Sequence, residues 1–351
     1  MIELLNEITI YISGLYTLPW IFVGFIVTLL ISRITNKEKI DNLMRKIGLI
    51  LLYFFVPLLL FRIFLDRDFG AKELEFTAVA CLTLFFMYLL SYMFSLKKAN
   101  QLNLNEVARQ RFIKTVITNQ GRSAAFIGGA LLVSPWFVEA AIFIALVGIA
   151  LFAVIPYILA YMHKKESHVS EDIHALPWYL KLYPWYLSAF AIGAVGLHGI
   201  GGISMVDLGD FGIVLKFYTS LTVPAALYYV GSGIHPHDLK KGEIKKLLYS
   251  QGGKKNKDHW SWIRNIFFLT VIITPLILII IFGVLLILDL IPRAWFAVIV
   301  INSFLPVTST NMFLVPYGID NKVTALSVTW TTVVCVPIVV ILIYVFTIFF
   351  P

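Results

Sequence analysis

Charge is scarce in this chain. Of its 351 residues only 14% are Asp, Glu, Lys or Arg, against 59% hydrophobic, and the mean hydropathy is +0.86. So little charge cannot cover a water-soluble enzyme, and it excludes a disordered regulator and a nucleic-acid-binding domain as well. Cysteine is nearly absent. The two residues, Cys81 and Cys335, lie in apolar runs and are expected to be small buried hydrophobes, with no disulfide framework or zinc site. The N-terminus carries Glu3 and Glu7 and no basic residue ahead of its first apolar run, so the charged start of a cleavable signal peptide is missing and the first span is expected to be retained. Carboxylates at membrane depth are missing too: the 20 acidic residues fall in loops or at the ends of apolar runs, Glu139 coming nearest. A proton or sodium cycle built on buried Asp or Glu therefore has no visible ligand, although hydroxyls and backbone carbonyls near Thr308, Ser309 and Thr310 leave sodium open.

What is present in abundance is hydrocarbon. A helix that crosses a bilayer takes about 20 apolar residues, and ten runs qualify: 8–31, 47–65, 76–96, 112–133, 138–161, 184–202, 211–233, 266–290, 295–316 and 323–350. The loops holding Arg33 to Lys46, Lys97 to Lys114, Lys164 to Lys181, Lys240 to Arg264 and Lys322 contain 22 of the 28 basic residues. The other side has Arg62, Arg67, Lys72, Lys216 and Arg293, and Arg122 is left inside a span. That imbalance predicts a multi-pass protein of the cell membrane with both termini outside the cytoplasm. The long basic loop from His235 to Arg264 is expected to set topology, with contact to anionic lipid headgroups as its functional alternative.

Ten spans divide into two sets of five with opposite orientation, an inverted repeat: residues 1–162, a cytoplasmic linker at 163–182, and residues 183–351. The second span contains Val56-Pro57-Leu58-Leu59-Leu60-Phe61 and the seventh contains Val223-Pro224-Ala225-Ala226-Leu227-Tyr228, so Pro57 and Pro224 are expected to kink helices at matching places. The fourth span has Thr118-Asn119-Gln120-Gly121-Arg122-Ser123 and the ninth has Asn302-Ser303, then Leu305-Pro306-Val307-Thr308-Ser309-Thr310-Asn311. Both interrupt a helix about 16 to 18 Å from its end, near the middle of a core about 30 Å thick. Broken backbone cannot face lipid there, so the two breaks are expected to meet around a polar site.

In these residues the chain resembles the auxin efflux carrier family of membrane transport proteins, in the wider group that includes bile-acid symporters. The matching pieces are Asn119-Gln120-Gly121 with Ile127-Gly128-Gly129, Val223-Pro224-Ala225-Ala226-Leu227 with Gly231, and Leu305-Pro306, Tyr317-Gly318-Ile319-Asp320, Thr331-Thr332 and Val336-Pro337. It departs from the family in having Gly128-Gly129-Ala130 for a Gly-Leu-Pro and Arg122 for an apolar residue. The resemblance implies an all-α integral membrane protein with crossed, broken fourth and ninth helices. It also implies a scaffold of spans 1, 2, 6 and 7 through which two copies pair, and a mobile transport bundle of spans 3–5 and 8–10.

The expected function is a secondary transporter, not an enzyme and without a cofactor, that moves a small anionic organic solute. Its site would comprise Asn119, Gln120, Gly121, Arg122, Ser123, Pro306, Thr308, Ser309, Thr310 and Asn311. A buried arginine beside a half-helix N-terminus calls for an anion, and an organic carboxylate is one answer. The alternative is that Arg122 caps carbonyls freed by the other broken helix. Hydroxyls in the Thr308 to Asn311 cluster can likewise bond back to their own helix. His235-Pro236-His237 has a metal-like spacing without converging ligands, and Gly121-Arg122-Ser123-Ala124-Ala125 lacks the last glycine of a nucleophile elbow. A membrane-embedded lipid-modifying enzyme and a solute-sensing receptor on the same fold are the rival functions.

Overall fold

The computed structural model describes residues 5, 8, 19–35, 40, 43, 46–47, 50–65, 71–123, 136–167, 178–222, 224–225, 228, 232, 259–308, 311, 314–315 and 317–349. Among these every long element is helical. In chain order they are α1 (Trp20–Ile34), a π-helical turn (Leu51–Phe55) running into α2 (Val56–Leu65), α3 (Ala71–Gln101), α4 (Glu106–Thr118), and α5 (Phe137–Ile149), which passes through a second π turn (Ala150–Val154) into α6 (Ile155–Ser167). Then come α7 (Trp178–Gly201), α8 (Gly209–Ser220), α9 (His259–Phe267) with a third π turn (Phe268–Ile273) into α10 (Thr274–Ile287), α11 (Arg293–Ser303) and α12 (Asn321–Phe349).

Three stretches, Ala71–Gln101, His259–Ile287 and Asn321–Phe349, are long and apolar enough to cross a membrane. The surface of α10 shows why. Leu276, Ile280, Ile281, Val284 and Ile287 are exposed along one side at helical spacing, while Thr274, Pro275, Leu278 and Phe282 are buried on the other. A helix closes its own backbone hydrogen bonds, so such an apolar outer face suits hydrocarbon. Cys81, expected to be buried, is exposed on α3, whereas Cys335 is buried. The reason is the same: in lipid an outward thiol carries no hydrophobic penalty.

The three π turns share a cause. Each ends two residues before a proline: Pro57, Pro156 and Pro275. Proline has no N–H, and its ring collides with the carbonyl of the preceding turn. One wide turn relieves the collision and leaves a carbonyl without its helical donor. The third case can be followed atom by atom. The Thr274 N–H reaches back five residues to Leu269 O, so in that register the donor for Thr270 O would be the N–H of residue 275, which proline lacks.

The chain forms two compact units, each assembled from separated stretches. The first comprises Met1–Ala78, Ala124–Val154 and Pro177–Ser232. In it α2 packs on α7, with Phe61 edge-on to Phe190, and on α8. The Tyr186 hydroxyl donates to Tyr53 O, a carbonyl of the first π turn, at 2.9 Å. Arg62 closes the last turn of α8 through Lys216 O and the Thr219 and Ser220 hydroxyls. Pro57 and Pro224 are both buried here, in helical backbone. Gly24 lets α1 approach Tyr228 so closely that any Cβ would overlap the Tyr228 carbonyl.

The second unit comprises Val79–Ser123, Ile155–Leu176 and Gly233–Pro351. Its core joins Phe112 and Val116 of α4 to Trp260, Trp262, Ile263 and Ile266 of α9 and Val323, Leu326 and Trp330 of α12. Asn105 caps α4 by accepting from the Ala108 N–H, which starts that helix six residues earlier than its apolar run suggests. Lys114, counted from the sequence with the cytoplasmic loop although it falls within the 112–133 run, is inside the helix and buried.

Candidate functional site

Two helices of the second unit stop in its interior. α4 ends at Thr118, where Gln120 and Gly121 close tight turns onto Ile117 O and Thr118 O, and α11 ends at Ser303 in the same manner through Phe304 and Leu305. Beyond the stops the two chains pair. The Ser123 N–H donates to Pro306 O at 2.9 Å and the Thr308 N–H donates to Gly121 O at 3.1 Å, leaving Arg122 and Val307 opposite each other as an isolated antiparallel bridge. Each interrupted segment thus supplies the backbone partners that the other lost on leaving its helix. Thr331 on α12 adds its hydroxyl to the Val307 N–H.

Arg122 is buried at this crossing. Its Nη1 donates to Leu305 O at 3.2 Å, and Nη2 donates to Thr270 O and to Gln120 Oε1, both at 3.1 Å. The carbonyls it serves are those left over by the end of α11 and by Pro275. The guanidinium fork, with donors on a planar frame, can reach both from one residue. Of the two roles open to Arg122 on sequence grounds, the capping contacts are present. They do not exhaust it: Nε–H is buried without a partner, and no carboxylate among the described residues bonds to the group. Tyr88 on α3 and Cys335 on α12 stand within electrostatic reach of it.

The remaining expected residues fall into three sets. Asn119, Gln120, Gly121, Ser123, Pro306 and Thr308 are all at the crossing. Asn119 Nδ2 donates to Thr115 O at 2.7 Å and to Thr324 Oγ1, and Gln120 Nε2 donates to Thr274 Oγ1. Asn311 is buried just past it, with its N–H on Thr308 O and neither side-chain amide atom engaged. Ser309 and Thr310 lie outside the described residues, as does the His235-Pro236-His237 stretch.

Several participants carried no recognised signal. Thr270 and Thr274 were legible only as polar residues flanking Pro275 in an apolar span. Lys114 donates to Tyr317 O at 3.1 Å, a contact set up by Gly318, whose φ of 85° bends the chain in a way that favours glycine. The same bend brings the Asp320 N–H onto Thr115 Oγ1, and the Asp320 carboxylate caps α12 at Val323. Among the described residues no group of three His, Cys, Asp or Glu side chains is placed to hold a metal ion. The chain matches no protein-family model and no curated protein sequence.

Proposed function

We propose that the chain is a secondary carrier of the auxin efflux carrier kind. Ten spans in two inverted five-span repeats would expose the crossing of the fourth and ninth spans alternately to the two sides of a cell membrane, and the cargo is a small organic carboxylate. The observation that carries this reading is the Arg122 guanidinium: a buried charge, at the meeting point of two interrupted helices, with only neutral partners among the described residues and one N–H unused. A cation removed from water with no counter-charge is costly, and ionisable groups at such depth mark solute pathways. A carboxylate arriving at Nε–H supplies the missing charge. Elevator-like movement of a bundle against a paired scaffold, with both termini outside the cytoplasm, completes the proposal.

The experiment is flux into proteoliposomes containing the purified full-length chain, with labelled monocarboxylates beside size-matched neutral amides. Carboxylate uptake that Arg122→Ala lowers by about 100-fold or more, as expected for losing a buried charge contact, supports the reading. Equal losses for acids and amides sink the carboxylate assignment, and turnover of a lipid without any flux points to the enzyme.

A further inference from the structure

The crossing uses its N–H groups on itself and is left with oxygen. The Ser123 N–H bonds Pro306 O, the Thr308 N–H bonds Gly121 O and the Val307 N–H bonds Thr331 Oγ1. What remains are acceptors. Leu305 O lies past the end of α11, and Thr270 O lies in the third π turn ahead of Pro275. Gln120 adds its Oε1: Nε2 is committed to Thr274 Oγ1, so the amide oxygen must face the other way. These three oxygens come from three separate stretches of chain, carry no formal charge and converge on one guanidinium, at 3.1 to 3.2 Å. α4 and α11 both end here, so the negative ends of two helix dipoles face the same place. Unwound carbonyls and half-helix C-termini are the groups with which interrupted helices coordinate monovalent cations.

We infer that Arg122 is a tethered replacement for a coupling cation: its guanidinium occupies a monovalent-cation site made by Leu305 O, Thr270 O and Gln120 Oε1, so the chain works without sodium or potassium. Cutting the arginine back reverses this. The oxygens then take a free monovalent cation, guanidinium ion first because it repeats the planar set of donors. Asn119 Oδ1 and Asn302 Oδ1 are also buried without partners. They do not make a second cation site, because a further positive charge beside a guanidinium meets like-charge repulsion where water does not screen it. Partial charges at the helix ends hold Arg122 without a formal counter-charge, so the attraction for a carboxylate at Nε–H persists. Cation-independent flux rests on the carrier reading above, whereas ion binding by the cut-back site does not.

The test begins with heat unfolding of the full-length chain in detergent, in about 50 mM choline, sodium, potassium or guanidinium chloride. The unaltered protein should have one midpoint in choline, sodium and potassium, and guanidinium, a denaturant, should leave it unchanged or lower it. Arg122→Ala should be less stable in choline and regain about 2 °C or more in guanidinium. Two results overturn the inference: an Arg122→Ala midpoint that guanidinium fails to raise, and an unaltered protein that sodium or potassium raises by as much. Should Arg122→Ala give no folded protein, the pair Arg122→Lys and Arg122→Met decides, since lysine keeps a tethered cation and methionine has none. The lysine chain should unfold about 2 °C higher or more; a lysine chain no more stable than the methionine chain, or loss of both, overturns the inference. In proteoliposomes, uptake of the labelled monocarboxylates should agree within about twofold when choline replaces sodium or potassium, because coupled ligands change one another's binding by about fivefold or more. Any larger fall in choline overturns the inference. If no acid crosses in any salt, the carrier reading fails, and the unfolding comparison, which needs no flux, still decides whether Arg122 fills a cation site.

Discussion

The two compact units deal with the same backbone problem in opposite surroundings. In the first, a π turn ahead of Pro57 has its Tyr53 carbonyl met by the hydroxyl of Tyr186, a neutral donor on an exposed residue. In the second, a π turn ahead of Pro275 has its Thr270 carbonyl met by Arg122, a charged donor shut off from the surface. A neutral hydroxyl is enough where the surroundings can stand in for it. Placing a guanidinium in the interior is the costly choice, and it does more: one side chain ties the π turn, the end of α11 and Gln120 together, and still has an N–H to spare. The difference separates a repair from a site.

The largest effect should come from removing those donors. Arg122→Ala leaves Thr270 O, Leu305 O and Gln120 Oε1 without their partner, and at about 1–3 kcal/mol for each buried unsatisfied group the full chain should lose about 3 kcal/mol or more of stability. Tyr186→Phe should lose less than about 1 kcal/mol, since water can replace an exposed hydroxyl. Denaturant unfolding in detergent measures both, and equal losses would erase the distinction drawn here.

Backbone crowding comes next. Gly24→Ala forces a methyl into the Tyr228 carbonyl, an overpacking expected to cost about 1–3 kcal/mol, whereas Gly196→Ala meets nothing within 4 Å and should stay within about 0.5 kcal/mol. The same unfolding experiment separates them, and a harmless Gly24→Ala contradicts the close approach of α1.

A subtler change sharpens the link between proline and arginine. Pro275→Ala removes the ring that holds the π turn open, so the turn should tighten toward an α-helix in which the Thr274 N–H moves from Leu269 O to Thr270 O and competes there with Arg122, and the proposed carboxylate flux should fall about fivefold, the equivalent of one ordinary hydrogen bond. Hydrogen exchange across 268–276 reports the backbone. A segment whose protection does not change would mean the turn has another cause.

The smallest effect lies outside the apolar spans, at the turn between α7 and α8. The Ser204 hydroxyl and N–H both donate to the Asp207 carboxylate, at 2.6 and 2.7 Å, and hold its pKa below the ordinary value. A depressed carboxylate pKa contributes stability that is present above the unfolded value of about 3.9 and disappears as pH falls through the lower folded value. Unfolding measured from pH 6 down to pH 2 should show a slight acid-side loss that Asp207→Asn removes. An identical profile for the variant would mean these bonds do not affect stability.

Much of this was legible along the chain because it depends on composition and on local rules. Apolar runs announced α3, α10 and α12, since a helix in lipid needs only length and hydrocarbon. Asn119-Gln120-Gly121 and Leu305-Pro306 announced the interruptions, because glycine and proline act on their own turn. The cap at Asn105 starts α4 ahead of the apolar run and gives no hydropathy signal, and Lys114, although within that run, reads as a loop cation because only its distant partner, Tyr317 O, shows why a lysine is buried there. Thr270, Thr274 and Thr324 stayed invisible: threonine is common in apolar helices, and only its neighbours make one of them matter.

By itself the sequence determined that this chain builds helices suited to hydrocarbon and where two of them must stop, for both follow from side-chain chemistry and the geometry of single turns. The tertiary structure alone decided which orphaned carbonyl meets which donor. Arg122 finds Thr270 O across 148 positions of chain and Leu305 O across 183, and partners so distant are chosen by how helices pack in space.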